Sequence, residues 1–408
     1  MTYDEAVAWL YSSQMYGIKL GLENIRRLTA VLGVEVGGPK APRFLHVAGT
    51  NGKGSVCALL DSCCRAGGLR TGLYTSPHLV TFRERIRLNG EMISEADVAD
   101  GLSRIRELTQ GWDPSPTFFE ITTALALAWF QQKEAEVVAL ETGLGGRLDA
   151  TNVVAPAVCA LTAIDLDHQQ WLGETPGAIA AEKAGIFKPG VPAVSVPQAE
   201  EVRAVLDRVA AERGTPLDYI DAPIAGQPVG LAGSHQLWNA ALAVRALALA
   251  GLELPGDAVA RGLRDVVWPG RFQQIHPKFI LDGAHNPSAA RRLAQTWRET
   301  HGERKATVIL GMLRDKDMRG ICEGLLPITG RILTVPMANP RSATSLEVCR
   351  AFGQVAPRQE CMAIRDLPRA IRLAQGMERQ VLITGSLFLV GEALAYFEKV
   401  VPPEASAQ

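Results

Sequence analysis

The sequence predicts an α/β protein of two domains, a larger N-terminal one over residues 1–266 and a smaller C-terminal one over 267–408, each on a mainly parallel sheet. Three observations predict it. Short apolar runs of strand type alternate with helical stretches along the whole chain. One such run enters a glycine-dense loop that opens onto a helix. At Val267-Trp268-Pro269-Gly270 the alternation breaks at a hinge-like turn, and it then restarts.

Residues 2–32 read as helical, with apolar residues at helical spacing at Ala6, Val7 and Leu10 and again over 22–32. Phe44-Leu45-His46-Val47-Ala48 reads as a strand, and 55–65 as the helix beyond the glycine loop. A strand over 70–74 and an apolar helix over 117–131 follow. Residues 137–140 and 157–161 are continuous apolar runs, the pattern of strands buried on both faces of a parallel sheet. A helix over 178–185 stops before Pro189-Gly190, and an alanine-rich helix covers 235–249. Beyond the hinge, strands over 279–281, 307–310, 332–335 and 380–384 with a helix over 289–298 read as a Rossmann-like α/β unit. The tail 402–408 is expected to fray.

The 408 residues are 47% hydrophobic and 21% charged, a globular balance sufficient for two cores. A formal net charge of −1 argues against a broad surface for nucleic acid or anionic membrane. The first residues, Met1-Thr2-Tyr3-Asp4-Glu5, carry acid where a secretory signal carries base, and no apolar run reaches the roughly twenty residues that span a bilayer. The expected location is the cytoplasm, with no nucleic-acid or membrane partner. The seven cysteines are odd in number and form no C-x-x-C pair, so reduced, mostly buried thiols are expected.

The glycine loop is Gly49-Thr50-Asn51-Gly52-Lys53-Gly54-Ser55. Its glycines let backbone N–H groups turn toward one point, and with the helix N-terminus they make an anion cradle. Lys53 adds a mobile positive charge for terminal phosphates, and Ser55 offers a hydroxyl to Mg²⁺. The spacing departs from G-x-x-x-x-G-K-[ST]: a glycine separates lysine from serine, and Val47 stands where the first glycine would be. The competing reading, a tight turn with an incidental lysine, fits poorly with three glycines, a lysine and a serine in seven residues at a strand end. The larger domain therefore reads as P-loop-type.

Ligands in open α/β sheets sit at the carboxyl ends of strands. Glu141 ends a buried strand before Thr142-Gly143-Leu144-Gly145-Gly146-Arg147, where an acid can hold Mg²⁺ directly or through water; the competing reading is a turn or cap acid. His168, in Asp165-Leu166-Asp167-His168, ends the next strand and could be a metal ligand, a polariser or a structural residue. Ser76, in Ser76-Pro77-His78-Leu79, is a candidate hydroxyl ligand for Mg²⁺, and Phe82-Arg83-Glu84-Arg85-Ile86 offers positive charge or a mere surface cluster. Lys183 on its own reads as a solvated helix lysine. Past the hinge, Arg271 could meet a phosphate, Asp282 ribose hydroxyls and His285 the nucleotide, although Asp282-Gly283-Ala284-His285-Asn286-Pro287 is also a turn composition. Asn239 could reach the base or phosphates.

Together these motifs resemble the folylpolyglutamate synthase and dihydrofolate synthase family of the Mur ligase superfamily. The resemblance runs from about residue 19 to 388, through Lys19-Leu20-Gly21-Leu22-Glu23-Asn24-Ile25, the glycine loop, Thr75-Ser76-Pro77-His78-Leu79 with Phe82-Arg83-Glu84-Arg85-Ile86, and Phe119-Glu120. It continues in Glu-Thr-Gly-Leu-Gly-Gly-Arg-Leu-Asp-Ala-Thr-Asn (141–152), Asp167-His168, residues 182–189, 235–239, Gly270-Arg271-Phe272 and 282–287. The resemblance implies that ATP sits between a Mur-ligase central-type domain, which also binds folate, and a C-terminal domain that closes on it. Residues 49–55 would hold the phosphates, and Asn239, Arg271, Asp282 and His285 the rest of ATP. Ser76, Glu141 and His168 would hold Mg²⁺. Lys183 matches the family's carbamylated lysine, which overturns its reading as a plain surface lysine, since a carbamate anion can sit beside Mg²⁺. Leu22, Glu23, Asn24, Arg83, Phe119, Glu120, Arg147, Leu148 and Asp149 would line the pterin-bearing substrate. Asn24 stands where the family's Gly-Leu-x-Arg-Ile string has arginine.

The expected reaction is ATP-dependent addition of L-glutamate, through an acyl phosphate, to dihydropteroate or to the γ-carboxylate of a reduced folate, by a monomer using Lys53, His168 and Lys183 in catalysis. A bifunctional enzyme is the first reading and polyglutamylation alone the second. A cell-wall Mur ligase is disfavoured because about fifty residues before the loop leave no room for an added domain. A non-catalytic nucleotide-binding protein would leave the Glu141, His168 and Lys183 set unused.

Overall fold

The structure, a computed structural model, describes residues 1–17 and 19–400, so the expected fraying of 402–408 lies outside the described residues. The chain forms two compact units. The first comprises Met1–Ser76, Phe82–Gly230 and Gln236–Val266; the second comprises the rest, chiefly the chain from Val267 onward. Two short segments, Pro77–Thr81 and Leu231–His235, belong to the second unit although they precede the hinge. Leu79 explains the first of these, being buried in the second unit's apolar core.

The first unit is built on an eight-stranded sheet. Its strands are β1 (Arg43–Ala48), β2 (Thr71–Tyr74), β3 (Ile86–Leu88), β4 (Glu91–Met92), β5 (Val137–Glu141), β6 (Val158–Leu161), β7 (Ala193–Ser195) and β8 (Leu217–Tyr219), in the order β4-β3-β2-β5-β1-β6-β7-β8. Pairings from β2 to β8 are parallel, and the β2–β3–β4 edge is antiparallel. β1 lies between β5 and β6, which follow it much later in sequence. Val47 pairs with Glu141 and Ala48 with Leu161, so the loops after these three strands leave the sheet side by side. One apolar cluster joins Phe44, Val138 and Leu140 to the helices Tyr3–Ser12, Glu23–Leu32 and Phe118–Gln132. Another joins Ala48, Cys159 and Leu161 to Pro176–Lys183 and Glu200–Arg213.

The expected continuous helix over 2–32 is interrupted. It ends at Ser12, passes through a 3₁₀ turn over Ser13–Tyr16 and resumes at Glu23. Gly17 takes φ +65°, a conformation that ends helices and that glycine adopts without a Cβ penalty.

The second unit carries a six-stranded sheet, β9 (Gln273–His276), β10 (Phe279–Leu281), β11 (Ala306–Leu310), β12 (Thr329–Thr334), β13 (Cys361–Ala363) and β14 (Val381–Thr384), ordered β13-β12-β11-β14-β10-β9. Only the β9–β10 edge is antiparallel. Trp297, fully buried, anchors the helix Pro287–His301 and donates its indole N–H to Arg304 O at 2.7 Å. The expectation of reduced cysteines holds for Cys57, Cys63, Cys64, Cys159 and Cys322, all buried. It fails for Cys349 and Cys361, which form a disulfide. The helix Ser345–Val355 is the crossover from β12 to β13, and it brings Cys349 back to the first residue of β13, with the Cα atoms 6.0 Å apart. That proximity comes from the crossover, so cysteine spacing could not reveal it.

The helix Phe118–Gln132 carries two site candidates and opens with a capping box. Thr117 Oγ1 accepts from Glu120 N and donates to Glu120 Oε2 at 2.8 Å. Thr117→Ala is expected to lower the unfolding free energy by about 1 kcal/mol, with Thr117→Ser close to wild type. Urea unfolding reads both, and an alanine variant as stable as wild type would show that the cap carries no weight.

Candidate functional site

The glycine loop is stitched to the chain beyond β6. Thr50 N and Asn51 N both donate to Ala163 O, and the Thr50 hydroxyl donates to Asp165 O at 2.9 Å. Gly52 sits at φ +102° just before the helix Lys53–Ala66, and an added Cβ would lie 2.9 Å from Asn239 Oδ1. Asn239, buried on the helix Ser234–Leu249, donates to Gln236 Oε1 at 2.8 Å, and Gln236 Nε2 donates to Ser55 Oγ at 3.3 Å. Asn239 is thus held against the loop. Gln236 was not foreseen as its intermediary; the i, i+3 spacing of two amides on one helix face was the available signal.

Two lysines share one carbonyl. Lys53 Nζ donates to Gly49 O at 3.2 Å and to Thr50 O at 3.4 Å. Lys183, buried at the end of the helix Pro176–Lys183, donates to the same Gly49 O at 2.8 Å. Burial, and then the neighbouring Lys53 ammonium, pull Lys183 down to about 7. A substantial share of Lys183 is then a free amine at neutral pH, the form that can attack an electrophile such as CO₂.

Glu141 is buried at the end of β5, and its Oε2 accepts from the Ser76 backbone N–H at 3.1 Å, which ties the Ser76 turn to this carboxylate. Carboxylate and hydroxyl oxygens beside a phosphate cradle suit Mg²⁺, which takes one or two carboxylates and completes its shell with phosphate and water oxygens. Among the described residues no group of three or more His, Cys, Asp or Glu forms a metal site on its own. His168 takes a left-handed backbone (φ 50°), with its partly exposed ring 3.9 Å from the Asp167 carboxylate.

The loop after Glu141 is docked on the Lys183 turn. Arg147 N donates to Glu182 O, the Arg147 guanidinium pairs with Glu182 Oε1 at 2.8 Å, and Asn152 Nδ2 donates to both Arg147 O and Gly185 O at 3.0 Å. A Cβ on Gly146 would lie 2.8 Å from Lys183 O, so only glycine admits this approach. Asp149 is buried, and its carboxylate accepts from Gly143 N, Leu144 N, Thr151 N and the Thr151 hydroxyl.

The remaining acceptor candidates divide. Asn24 and Glu120 come together: Asn24 donates to Ser115 O at 3.3 Å and hydrogen-bonds Glu120, whose carboxyl is pushed up by burial. The Phe119 ring lies against Gly143 and Tyr74. Leu22 precedes the helix Glu23–Leu32 without a side-chain cap, Glu23 is exposed beside it and Leu148 is half-buried. Arg83 is engaged elsewhere, donating to Ile93 O at 2.6 Å and facing Glu95.

In the second unit Asp282 follows β10. Its carboxylate accepts from Phe272 N and Ala284 N, each at 2.9 Å, and burial pushes it up while Arg271 opposes that shift. Gly283 N donates to Gly270 O, which ties the Arg271 turn to this loop. His285 Nδ1 lies 2.9 Å from Gly283 O, so its ring donates there. Asn286 caps the helix Pro287–His301, whose N-terminus adds positive potential. Burial, then Arg292 and Arg271, hold His235 at about 4. Arg292 was not foreseen, since one arginine on a charged helix gives no sequence signal.

Residues 270–387 match the Mur ligase glutamate ligase domain family. A Bacillus subtilis dihydrofolate synthase/folylpolyglutamate synthase is 32% identical over 96% of this chain and 98% of its own length. The chain belongs to the dihydrofolate synthase/folylpolyglutamate synthase family. Members of this family are ATP-dependent ligases. Escherichia coli FolC in complex with DHPP and ADP superposes with a TM-score of 0.86 at 33% identity, covering 97% of this chain and 98% of that one. A bifunctional folylpolyglutamate synthase/dihydrofolate synthase from Yersinia pestis, complexed with AMPPNP and Mn ion, gives 0.86 at 34% identity over 98% of both chains. No described helix is long and apolar enough to cross a membrane.

Lys183 carries a pH signature. Between about 7 and the ordinary lysine value of 10.5, the unfolded chain holds a proton that the folded chain lacks. Stability should therefore rise with pH through that window, and the full cost of the buried charge is present below it. In chelator-containing, CO₂-free buffer the wild type is expected to gain on Lys183→Met between about pH 7 and about pH 9. A pH-independent difference in urea midpoint would refute the depressed value.

Proposed function

We propose that this chain uses ATP and Mg²⁺ to join L-glutamate both to dihydropteroate and to the γ-carboxylate of a reduced folate, acting as a monomer. The observation that carries this reading is the shared Gly49 carbonyl, which sets Lys53 and a partly neutral Lys183 at one phosphate loop. A simple nucleotide-binding turn has no use for the second lysine.

In this reading residues 49–55 hold the phosphates of ATP, and Asn239, Arg271, Asp282 and His285 hold the rest of it. Mg²⁺, when bound by Ser76, Glu141 and His168, supplies charge neutralisation to the phosphates. The acceptor lies along Leu22, Glu23, Asn24, Phe119, Glu120, Arg147 and Leu148, and Asp149 shapes that wall through the loop it holds. A carboxylate oxygen of the acceptor attacks the γ-phosphorus, the bond to the β–γ bridging oxygen breaks, and ADP departs. Lys53, redirected from its own loop carbonyls to the phosphates, takes up the developing charge. The glutamate amine then attacks the acyl carbon, loses its proton and expels phosphate. Lys183 reacts beforehand with CO₂: its neutral amine forms an N–C bond, and one proton leaves to solvent. The resulting carbamate is an anion next to Lys53 where an ammonium was a second cation.

Incubation with ATP, Mg²⁺ and glutamate, with dihydropteroate and tetrahydrofolate as separate acceptors, tests the proposal by product mass. Both acceptors should gain glutamate, with one ADP and one phosphate released per bond. Glutamylation of tetrahydrofolate alone would reduce the activity to polyglutamylation, and no phosphate release with either would leave a binding protein. Lys53→Ala should lower kcat about 100-fold or more; undiminished turnover would sink the mechanism.

A further inference from the structure

His46 has no part in the reaction as described, yet it is a fully buried polar side chain in the central strand, three residues before the phosphate loop. Its Nε2 lies 2.8 Å from Thr151 Oγ1. Thr151 is also fully buried, and its hydroxyl is 2.5 Å from Asp149 Oδ1. Asp149 Oδ2 in turn accepts from Gly143 N at 2.9 Å and Leu144 N at 2.8 Å. These contacts form one continuous line from the middle of β1 to the loop between Glu141 and Arg147.

The direction of the protons along this line follows from its ends. Burial pushes Asp149 up, but the N–H groups of Gly143, Leu144 and Thr151 and the Thr151 hydroxyl all donate to it, oppose that shift and suit an acceptor-only carboxylate. The Thr151 hydroxyl has one hydrogen, and giving it to Asp149 leaves its oxygen to accept. His46 must then carry its proton on Nε2. The opposite polarity would place the ring hydrogen on Nδ1, which has no hydrogen-bond partner among the described residues. A buried donor left unmade is costly, so the Nε2–H form is selected. The ring also stays neutral, since burial, and then Lys188, hold it down to about 3. His46 is therefore a fixed donor at working pH and not an acid or base.

We infer that His46 is a positioning residue for the ligase reaction: through Thr151 and Asp149 it fixes the Gly143 and Leu144 amides, and with them the loop that leads from Glu141, at the end of β5, to Arg147 on the Lys183 turn. This inference rests on the ligase reading above. The loop is rich in glycine; Leu144 packs on an apolar cluster and Arg147 is tied to Glu182, and the line from the central strand adds the bonds that fix the Gly143 and Leu144 amides.

Thr151→Val removes the hydroxyl at nearly constant volume, and Thr151→Ser keeps it. In the full chain the valine variant should lose about 10- to 100-fold in kcat with KM for ATP little changed, while the serine variant stays near wild type. Hydrogen exchange at the Gly143 and Leu144 amides should accelerate in the valine variant and not in the serine variant. In the wild type, ¹⁵N shifts of His46 should report the Nε2–H tautomer without titration between about pH 6 and about pH 8. If His46→Leu folds, the double variant with Thr151→Val should be no worse than the more impaired single one; if it does not fold, the valine and serine pair decides alone. Unimpaired turnover and unchanged exchange in Thr151→Val, an Nδ1–H ring, or additive effects of the two substitutions would each overturn the relay. Exchange and tautomer are read without turnover. A chain that shows both but forms no ligated product would sink the ligase reading alone.

Discussion

The Gly49 carbonyl is the point on which the first unit's site depends. It is the first acceptor beyond β1, and two cationic side chains reach it from different elements. One comes from the helix that the loop opens, the other from a helix more than a hundred residues later. Like charges converging in a buried place raise each other's cost, so one of the pair must give up its proton or be converted. The deeper one, Lys183, is the one pulled down. Its surroundings are also the more constrained, with Gly146 against its carbonyl and Asn152 on the turn that follows. The electrostatic strain at Gly49 is thus held in place by backbone contacts around Lys183.

The parallel sheet explains why so few residues suffice. Because β5 and β6 flank β1, the loops after all three start within neighbouring strand spacings, and short polar contacts can lock them together. Thr50 is tied to the chain after β6, and Thr142 N donates to Val47 O beside β5. The second unit repeats the logic on a smaller sheet: Asp282 follows β10, between β14 and the edge strand β9, and its carboxylate organises the turn that bears Arg271.

Much of this was legible in the sequence, for a physical reason. Strands buried on both faces need continuous apolar runs, and β1, β5, β6, β10, β11 and β14 announce themselves that way. The β3–β4 hairpin is too short for a period to register, β7 and β8 include Ser195 and Asp218 and so lack the wholly apolar run of the equally short β10, and β9 alternates polar residues at an edge. The glycine loop and the 141–152 string were readable because close backbone approach admits few residue types. Whether a side chain is spent inside the chain was not readable. Arg83 and Asp149 looked alike as charged residues in site strings, yet one is bound to Ile93 O and the other surrounded by donors of its own loop. Long-range pairing such as Cys349 with Cys361 also leaves no local pattern.

A carbamate at Lys183 would resolve the conflict at Gly49 without undoing the fold. The modified nitrogen keeps one N–H, so the bond to Gly49 O can persist and the side chain need not leave its buried path. The added oxygens turn the interaction with Lys53 from repulsion to attraction. The same step brings an anionic group into the field of Asp167 and Asp149, and anions gathered there repel one another unless a cation lies among them. Modification and metal binding would therefore reinforce each other: each lowers the cost of the other by the charge it supplies, and each would be weaker alone.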